Sequence, residues 1–464
     1  MALWKFGLWA LGALLVAGGV LGAIYLHRFV VLGSGFLTHI VCSGTFVSGR
    51  DPQAVVTEDV SNFGPVSLFR WNVDREAKSV TASLFGLGRR TALFREGLGC
   101  TVAIGKTEAE LRAQAEGLFT VEPPILDPDT LWPDGERADL GALPGDVDAA
   151  RLKAAVAAAF AEPNGKHRRN TRALLVVHRG RVVAERYAPG FDATMPLLGW
   201  SMAKTALNAL VGVMVGDGTL KTSDEALLPQ WREDGDPRRE ITLDQLLRMT
   251  SGLDFENEPS KRMLFTMGDI GTFAASTPLT HPPGEVWDYS QGPSNIIALI
   301  MRERFPNERD YLRFPRERLF WRLGMRSAVL EPDASGTFIG SSFMYASARD
   351  WARLGLLFLQ DGVWQGRRIL PDGWVDYTRA ATPQSPGGRY GAHVWLRLPD
   401  SADLGVPPMP EDAYYMLGYD QQIVAIVPSR DLVIVRLGLT RKAKGFDHAQ
   451  VLAPIVAAFP KVND

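Results

Sequence analysis

The chain has 464 residues, and its 46% hydrophobic and 22% charged content is that of a globular protein rather than a disordered one. Fifty Lys and Arg stand against 52 Asp and Glu, a net charge of −2, so no basic surplus marks a nucleic-acid partner. From Phe6 to Leu26 the sequence FGLWALGALLVAGGVLGAIYL carries no charge over 21 residues, with Lys5 before it and His27 and Arg28 after it. A helix of that length spans roughly 30 Å, the thickness of a bilayer's hydrocarbon core. Residues 1–28 are therefore expected to form an N-terminal transmembrane helix. A cleaved signal is the alternative, but its apolar run is usually shorter, and no convincing small-residue cleavage site follows here. The sparse flanking charges do not orient the span. Cys42 and Cys100 form a candidate disulfide if the anchor delivers the chain outside the cytoplasm. Two free cysteines packed as small hydrophobes would be the other reading.

Beyond the anchor, residues 29–120 hold short β-like runs such as SVTASLFGL (79–87) between glycine-rich turns. The stretch VEPPILDPDTLWPDG (121–135) packs four prolines and four acidic residues into 15 positions and reads as a linker. Residues 29–135 are thus taken as an N-terminal extension and linker, and 136–464 as the catalytic domain. In the latter, Val147 to Ala161 has the composition of a helix, and RALLVVHRGRVVAERYAPGF (172–191) is a hairpin signal. Helical patterns dominate from 200 to about 380. Strands are expected again at YGAHVWLRL (390–398), IVAIVP (423–428) and DLVIVRLGL (431–439), and a closing helix at VLAPIVAAF (451–459). Strands from both ends of the domain with helices between them predict an α+β fold, an antiparallel sheet in which the first and last strands meet.

The chemistry concentrates at Ser201 and Lys204. They open the segment SMAKTALNALVGVMVGDG, almost wholly apolar from Met202 to Val215 and stopped by Gly216-Asp217-Gly218. Positions i and i+3 share a helix face, so the hydroxyl and the amine can converge. Serine needs a base to take its proton, and burial at a helix N-terminus lowers a lysine's pKa toward that task. The same N-terminus offers Ser201 a backbone N–H for an oxyanion. An isolated Ser-x-x-Lys also fits a capping serine beside a surface lysine. However, Met202, Ala203, Ala206 and Leu207 are not the neighbours of a surface lysine. No G-x-S-x-G elbow, H-E-x-x-H or Walker A loop is present, and neither the histidines nor the cysteines have metal-ligand spacing, so no metal or cofactor is expected.

Several segments in order resemble the beta-lactamase-related serine hydrolases, a family that includes class C beta-lactamases, D-alanyl-D-alanine carboxypeptidases, esterases and 6-aminohexanoate-dimer hydrolase. These are RALLVVHRGRVVAERY, GWSMAKT, ITLDQLLRMTSGLDF (241–255), PPGEVWDYSQGPSNIIALIM (282–301) and SFMYASARDWARLGLLFLQDG (342–362). The resemblance covers Arg172 to the C-terminus and leaves residues 29–120 outside it. It implies an antiparallel sheet flanked by helices, with a mostly helical lobe. It also implies an acyl-enzyme on Ser201, Lys204 as base, and Tyr289 relaying a proton to the leaving group. A phenol near a cationic lysine is expected to ionise more readily. Two departures stand out. Gln291 occupies the place of the asparagine in the Tyr-x-Asn of penicillin-recognising members. No Lys-Thr-Gly or His-Thr-Gly triplet occurs in AYYMLGYDQQIVAIVP (413–428). The pattern is more like the esterase and 6-aminohexanoate-dimer hydrolase side of the family. An oxyanion N–H is expected within Met416, Leu417, Gly418 or Tyr419, and Gln291 near the substrate. Trp200, Trp287, Tyr415 and Tyr419 are candidates for an aromatic cleft.

The leading reading is a membrane-anchored, extracytoplasmic serine hydrolase acting on a small ester or amide. A penicillin-binding D,D-peptidase or beta-lactamase is the alternative within the same chemistry. A non-catalytic, membrane-tethered binding protein is the alternative outside it.

Overall fold

A computed structural model describes residues 2–61, 64–119, 123–141, 143–163, 168–256, 260–398, 408–441 and 447–462, with side chains from residue 14 onward. The side chains of the first half of the expected anchor, and Val121 and Glu122 of the expected linker, lie outside them.

The first helix, α1 (Ala2–Cys42), runs without a break for 41 residues. Its outer part is uncovered. Leu15 is 69% and Tyr25 76% exposed, whereas from Val30 onward the helix enters the protein and Leu37, Val41 and Cys42 are fully buried. Helix α1 is thus long and apolar enough to cross a membrane at one end, while its other end is core. Four antiparallel strands, β1 (Arg70–Asp74), β2 (Ser79–Leu84), β3 (Leu87–Arg95) and β4 (Gly99–Val102), form a sheet in sequential order that packs on this inner half. Cys42 and Cys100 are bonded, their Cα atoms 6.0 Å apart, which ties α1 to β4.

The C-terminal part of the chain begins with α2 (Ala149–Phe160), capped by Asp148, and the hairpin β5 (Thr171–His178) and β6 (Arg181–Tyr187). After the helical region come β7 (Tyr414–Gly418), β8 (Gln422–Val427) and β9 (Leu432–Gly438). The five strands lie in the order β7-β8-β9-β5-β6, all antiparallel, with Val435 opposite Leu175 where the two ends of the chain meet. Successive residues of β5 face different cores. Leu174 and Val176 join the layer beneath α2 and the last helix, α7 (His448–Val456), while Ala173, Leu175 and Val177 join the main core. A sheet covered on both faces has no solvent face, which is why RALLVV reads as an unbroken apolar run rather than an alternating one.

The main core contains α3 (Ala203–Gly216), buried from Ala203 to Met214, together with α5 (Gly292–Arg302) and α6 (Ala348–Leu359); α4 (Ser260–Thr266) packs against α1. Residues 390–398, expected as a strand, are not one. They make only isolated bridges, Tyr390 with Trp395 and Trp395 with Tyr415, because the chain turns at His393, where φ is +59°. The proline-rich stretch expected as a linker is fastened to α6. The buried Arg353 guanidinium donates to the carbonyls of Pro133 and Gly135 and pairs with Glu136 at 3.1 Å and Asp350 at 2.8 Å.

The extension shares the main core with the C-terminal part of the chain, and a buried carboxylate at their seam finds its partners within the protein. Glu331, fully buried, accepts from Ser43 Oγ at 2.8 Å and Cys100 N–H at 2.7 Å, and meets His39 Nε2 at 2.8 Å. A buried carboxylate is tolerated only with such a full set of partners. Cys100→Ser is expected to destabilise the detergent-solubilised protein by about 2–4 kcal/mol, the usual effect of opening a loop of this length. Urea unfolding with and without reductant measures it, and reductant should leave the variant unchanged.

Candidate active site

One turn of 3₁₀ helix, Trp200–Met202, precedes α3 and carries Ser201. Trp200 holds φ at +49°, a left-handed conformation uncommon for a bulky residue, directly before the serine. Gly199 leaves no room for a side chain, since a Cβ there would fall 2.2 Å from the Trp351 ring. From α3, Lys204 returns to the serine, with Nζ 3.3 Å from Ser201 Oγ. Burial pulls the Lys204 pKa down to about 7, and the side chain is 1% exposed.

The other contacts of this amine explain how it is aimed. Nζ donates to Gln291 Oε1 at 2.7 Å and to the Ser341 carbonyl at 2.9 Å. Both are acceptors. A neutral amine has two N–H groups and one lone pair, so these two bonds leave the lone pair for the Ser201 hydroxyl. Gln291 is held in turn by Ser342 Oγ at 3.3 Å. Beneath the site, His393 Nδ1 donates to the Lys204 carbonyl at 3.1 Å, and its Nε2 accepts from Ser294 Oγ at 3.1 Å. Burial drives the His393 pKa down to about 3, so it stays neutral beside the lysine.

Tyr289 comes from a loop braced by the segment 249–252. Asp288 N–H donates to Met249 O at 2.9 Å, and Gly284 N–H to Thr250 O at 2.7 Å. Gly252 must be glycine here, with φ +76° and a Cβ position 2.1 Å from His281 O. The Tyr289 ring lies in an aromatic cluster with Trp287, Tyr390 and Trp395, and Lys204 Nζ stands 5.2 Å from its centroid. The expectation of a readily ionised phenol is reversed. Burial raises the Tyr289 pKa, and hydrogen bonding with Ser201 and Trp395 only partly offsets it. The lysine faces the ring, and its own pKa is lowered to about 7 by burial.

On the opposite side, β7 is the edge strand. Tyr415 exchanges both backbone bonds with Trp395, at 2.8 and 2.9 Å. By alternation Tyr414, Met416 and Gly418 turn their backbone groups toward β8, and Leu417, like Tyr415, turns its own away from it. Gly418 packs against that turn so closely that a Cβ would lie 2.1 Å from Gly199 O. A cleft of about 410 Å³ results. Its lining unites Trp200, Ser201, Tyr289, Gln291, Gly418 and Tyr419 from the sequence-derived set. Met416 is not among them, because the strand's alternation turns its side chain into the main core. Trp287 stands behind Tyr289 and Tyr415 lies in the second core, so neither forms cleft wall. Sequence reasoning missed Trp395, Ser342, Gln421, His448 and, from helices α1 and α4, Phe36, Leu264 and Phe265. No cluster of His, Cys, Asp and Glu able to hold a metal occurs among the described residues.

Two outcomes follow from this geometry. If Lys204 is the base for Ser201, it must lose its own proton before it can take one from the serine. Reaction of Ser201 with a phosphonate should therefore slow as pH falls below about 7 and plateau above it, as stopped-time labelling across pH would record. Gly418→Ala should slow labelling by about a hundredfold or more by displacing the Ser201 turn, while circular dichroism stays native.

The family model for Beta-lactamase matches residues 156–456. The 6-aminohexanoate-dimer hydrolase of Paenarthrobacter ureafaciens is 24% identical over 306 residues, 58% of this chain and 72% of that protein. Among solved structures, a penicillin-binding protein homolog from Caulobacter crescentus aligns with a TM-score of 0.53 at 15% identity, covering 68% of this chain and 98% of that one. EstCE1, a hydrolase with promiscuous acyltransferase activity, aligns at 0.50 and 16% identity, covering 67% and 97%. These two likenesses concern the fold. With the match spanning more than half its length, the chain belongs to the Beta-lactamase family and has that family's transpeptidase-like α+β fold.

Proposed function

We propose that the protein is a serine hydrolase that cleaves a small ester or amide through an acyl-enzyme on Ser201. The observation that carries this is the Lys204 amine, buried, depressed to about 7 and aimed at the Ser201 hydroxyl by two acceptors. Lys204 takes the hydroxyl proton as Ser201 Oγ bonds to the substrate carbonyl. The oxyanion is met by the backbone N–H groups of Ser201 and Tyr419. Tyr289, kept protonated by burial, passes a proton from Lys204 to the departing alcohol or amine. Water then attacks the acyl group, releases the acid and returns the proton to Ser201. No metal or cofactor enters this scheme.

An ester or small amide fits the cleft better than a beta-lactam or peptide carboxylate. The lysine that lines the cleft is Lys261 from α4, whereas penicillin-recognising relatives keep their cation on the late strand, here β7. The apolar α1 and the Cys42–Cys100 bond point to an extracytoplasmic body. Continuity of α1 into the core favours a retained anchor over a cleaved signal.

A reporter fluorophosphonate, followed by peptide mapping, tests the reading. A single adduct on Ser201, reduced at least about a hundredfold in Lys204→Ala, is expected. A penicillin adduct would favour the D,D-peptidase alternative. No adduct on folded protein would leave a non-catalytic, membrane-tethered binding protein.

A further inference from the structure

The N-terminal extension has no place in the proposed chemistry, yet it meets the cleft and the exposed apolar helix within a short distance of each other. Phe36 of α1, with Leu264 and Phe265 of α4, forms one wall of the cleft. Phe36 and Phe265 meet edge to face with centroids 5.0 Å apart, and Gly35 lies so close to Phe265 O that a Cβ would be 2.1 Å away. Helix α1 leaves the protein at Phe29 and Val30. Six residues of helix separate Val30 from Phe36, about 9 Å along the axis. The polar headgroup zone of a bilayer is roughly 5–7 Å deep on each side. If the exposed half of α1 spans a membrane, the catalytic cleft stands just above the headgroups.

The surface around the helix exit is built for that level. The β2–β3 hairpin reaches it, since Gly88 packs on Val30 with a Cβ position 2.5 Å from Val30 Cγ1. Its two-residue turn is Phe85-Gly86, both at positive φ, +50° and +83°. Such turns favour Asn-Gly or Gly-Gly, and a phenylalanine in the left-handed position is conformationally costly. This one is also 77% exposed, and Leu87 beside it is 59% exposed. Leu68, 49% exposed, sits next to Phe69, whose ring is 6.0 Å from Phe29. Exposed Arg28, Arg70 and Arg89 accompany these apolar side chains, and no acidic residue occurs from 64 to 73 or from 77 to 95. An apolar tip flanked by arginines at the root of an apolar helix matches the lipid–water interface, where rings enter the acyl boundary and guanidinium groups meet anionic headgroups.

We infer that the extension seats the catalytic body on the bilayer, and that the Ser201 cleft takes an acyl ester or amide carried by a membrane-resident amphiphile. This rests on the hydrolase reading above. The Phe36, Leu264 and Phe265 wall receives the acyl chain, which enters from the leaflet beneath without crossing bulk water.

The full-length protein, reconstituted in phosphatidylcholine–phosphatidylglycerol vesicles, provides the test. Two fluorogenic substrates are compared, 4-methylumbelliferyl oleate dissolved in the bilayer and water-soluble 4-methylumbelliferyl acetate. The double variant Phe85→Ser, Leu87→Ser touches no part of the catalytic machinery. It should lower the rate on the embedded oleate roughly tenfold through weaker seating. Acetate turnover and phosphonate labelling of Ser201 should stay at wild-type levels. Equal oleate rates for variant and wild type, or acetate cleaved while embedded oleate is not, would overturn the inference and leave the hydrolase reading intact. A wild-type protein that labels at no serine would remove both.

Discussion

Everything in the site depends on keeping one amine uncharged. Lys204 lies inside an apolar helix, with no carboxylate among its contacts in the described residues, and desolvation alone accounts for its lowered pKa. Burying this amine costs most stability below about pH 7, and stability rises from there up to the ordinary lysine value, because the unfolded chain binds a proton in that window that the folded chain does not. The surrounding structure bears that cost. Asn208, one turn further along α3, donates to Ala392 O at 2.9 Å and accepts from the Trp374 indole at 3.0 Å, so the buried helix carries no orphaned amide. His393 beneath the site is held neutral, so no imidazolium charge stands beside the amine.

The same logic of buried polar groups organises the join between the extension and the C-terminal part of the chain. Glu331 collects donors from α1, the turn after it and β4, while Arg50 and Arg172 share Asp59 at 2.6 and 2.7 Å. Removing one member of such a set leaves an uncompensated buried charge. Helix α1 therefore cannot be treated as a tether alone. Its residues 14–28 are exposed, apolar as far as Leu26, while its inner half supplies Phe36 to the cleft and His39 and Cys42 to the seam. A single continuous helix fixes the distance between the two.

Much of the fold was legible because its signals are local. The hairpin at 171–187, the last two strands and the closing helix all announce themselves through runs of β-branched residues, turn residues and helix formers within a few positions. The pairing of β9 with β5 follows from strands lying at both ends of a helical stretch. The segment 390–398 misled because its alternating apolar residues resemble a strand; the left-handed backbone at His393 and the site it serves outweigh that propensity. Tyr289 was placed by resemblance, but the sign of its pKa shift was not readable. That sign depends on how much water the fold removes and on which face of the ring the lysine meets.

Spacing along the chain was enough to bring the Ser201 and Lys204 side chains together, because residues three apart on a helix share a face whatever surrounds them. Composition was enough to specify the apolar α1, and cysteine arithmetic the one pair that can bond. Only the tertiary structure decided what points the amine and what walls the cleft. Gln291, Ser341, Trp395 and Phe36 come from four separate segments, and nothing local relates them to the serine. The same holds for the close approach of Gly418 to the Ser201 turn, which depends on where the edge strand β7 lies against Gly199. Contacts between distant segments are set by packing and strand register, and these belong to the whole chain rather than to any stretch of it.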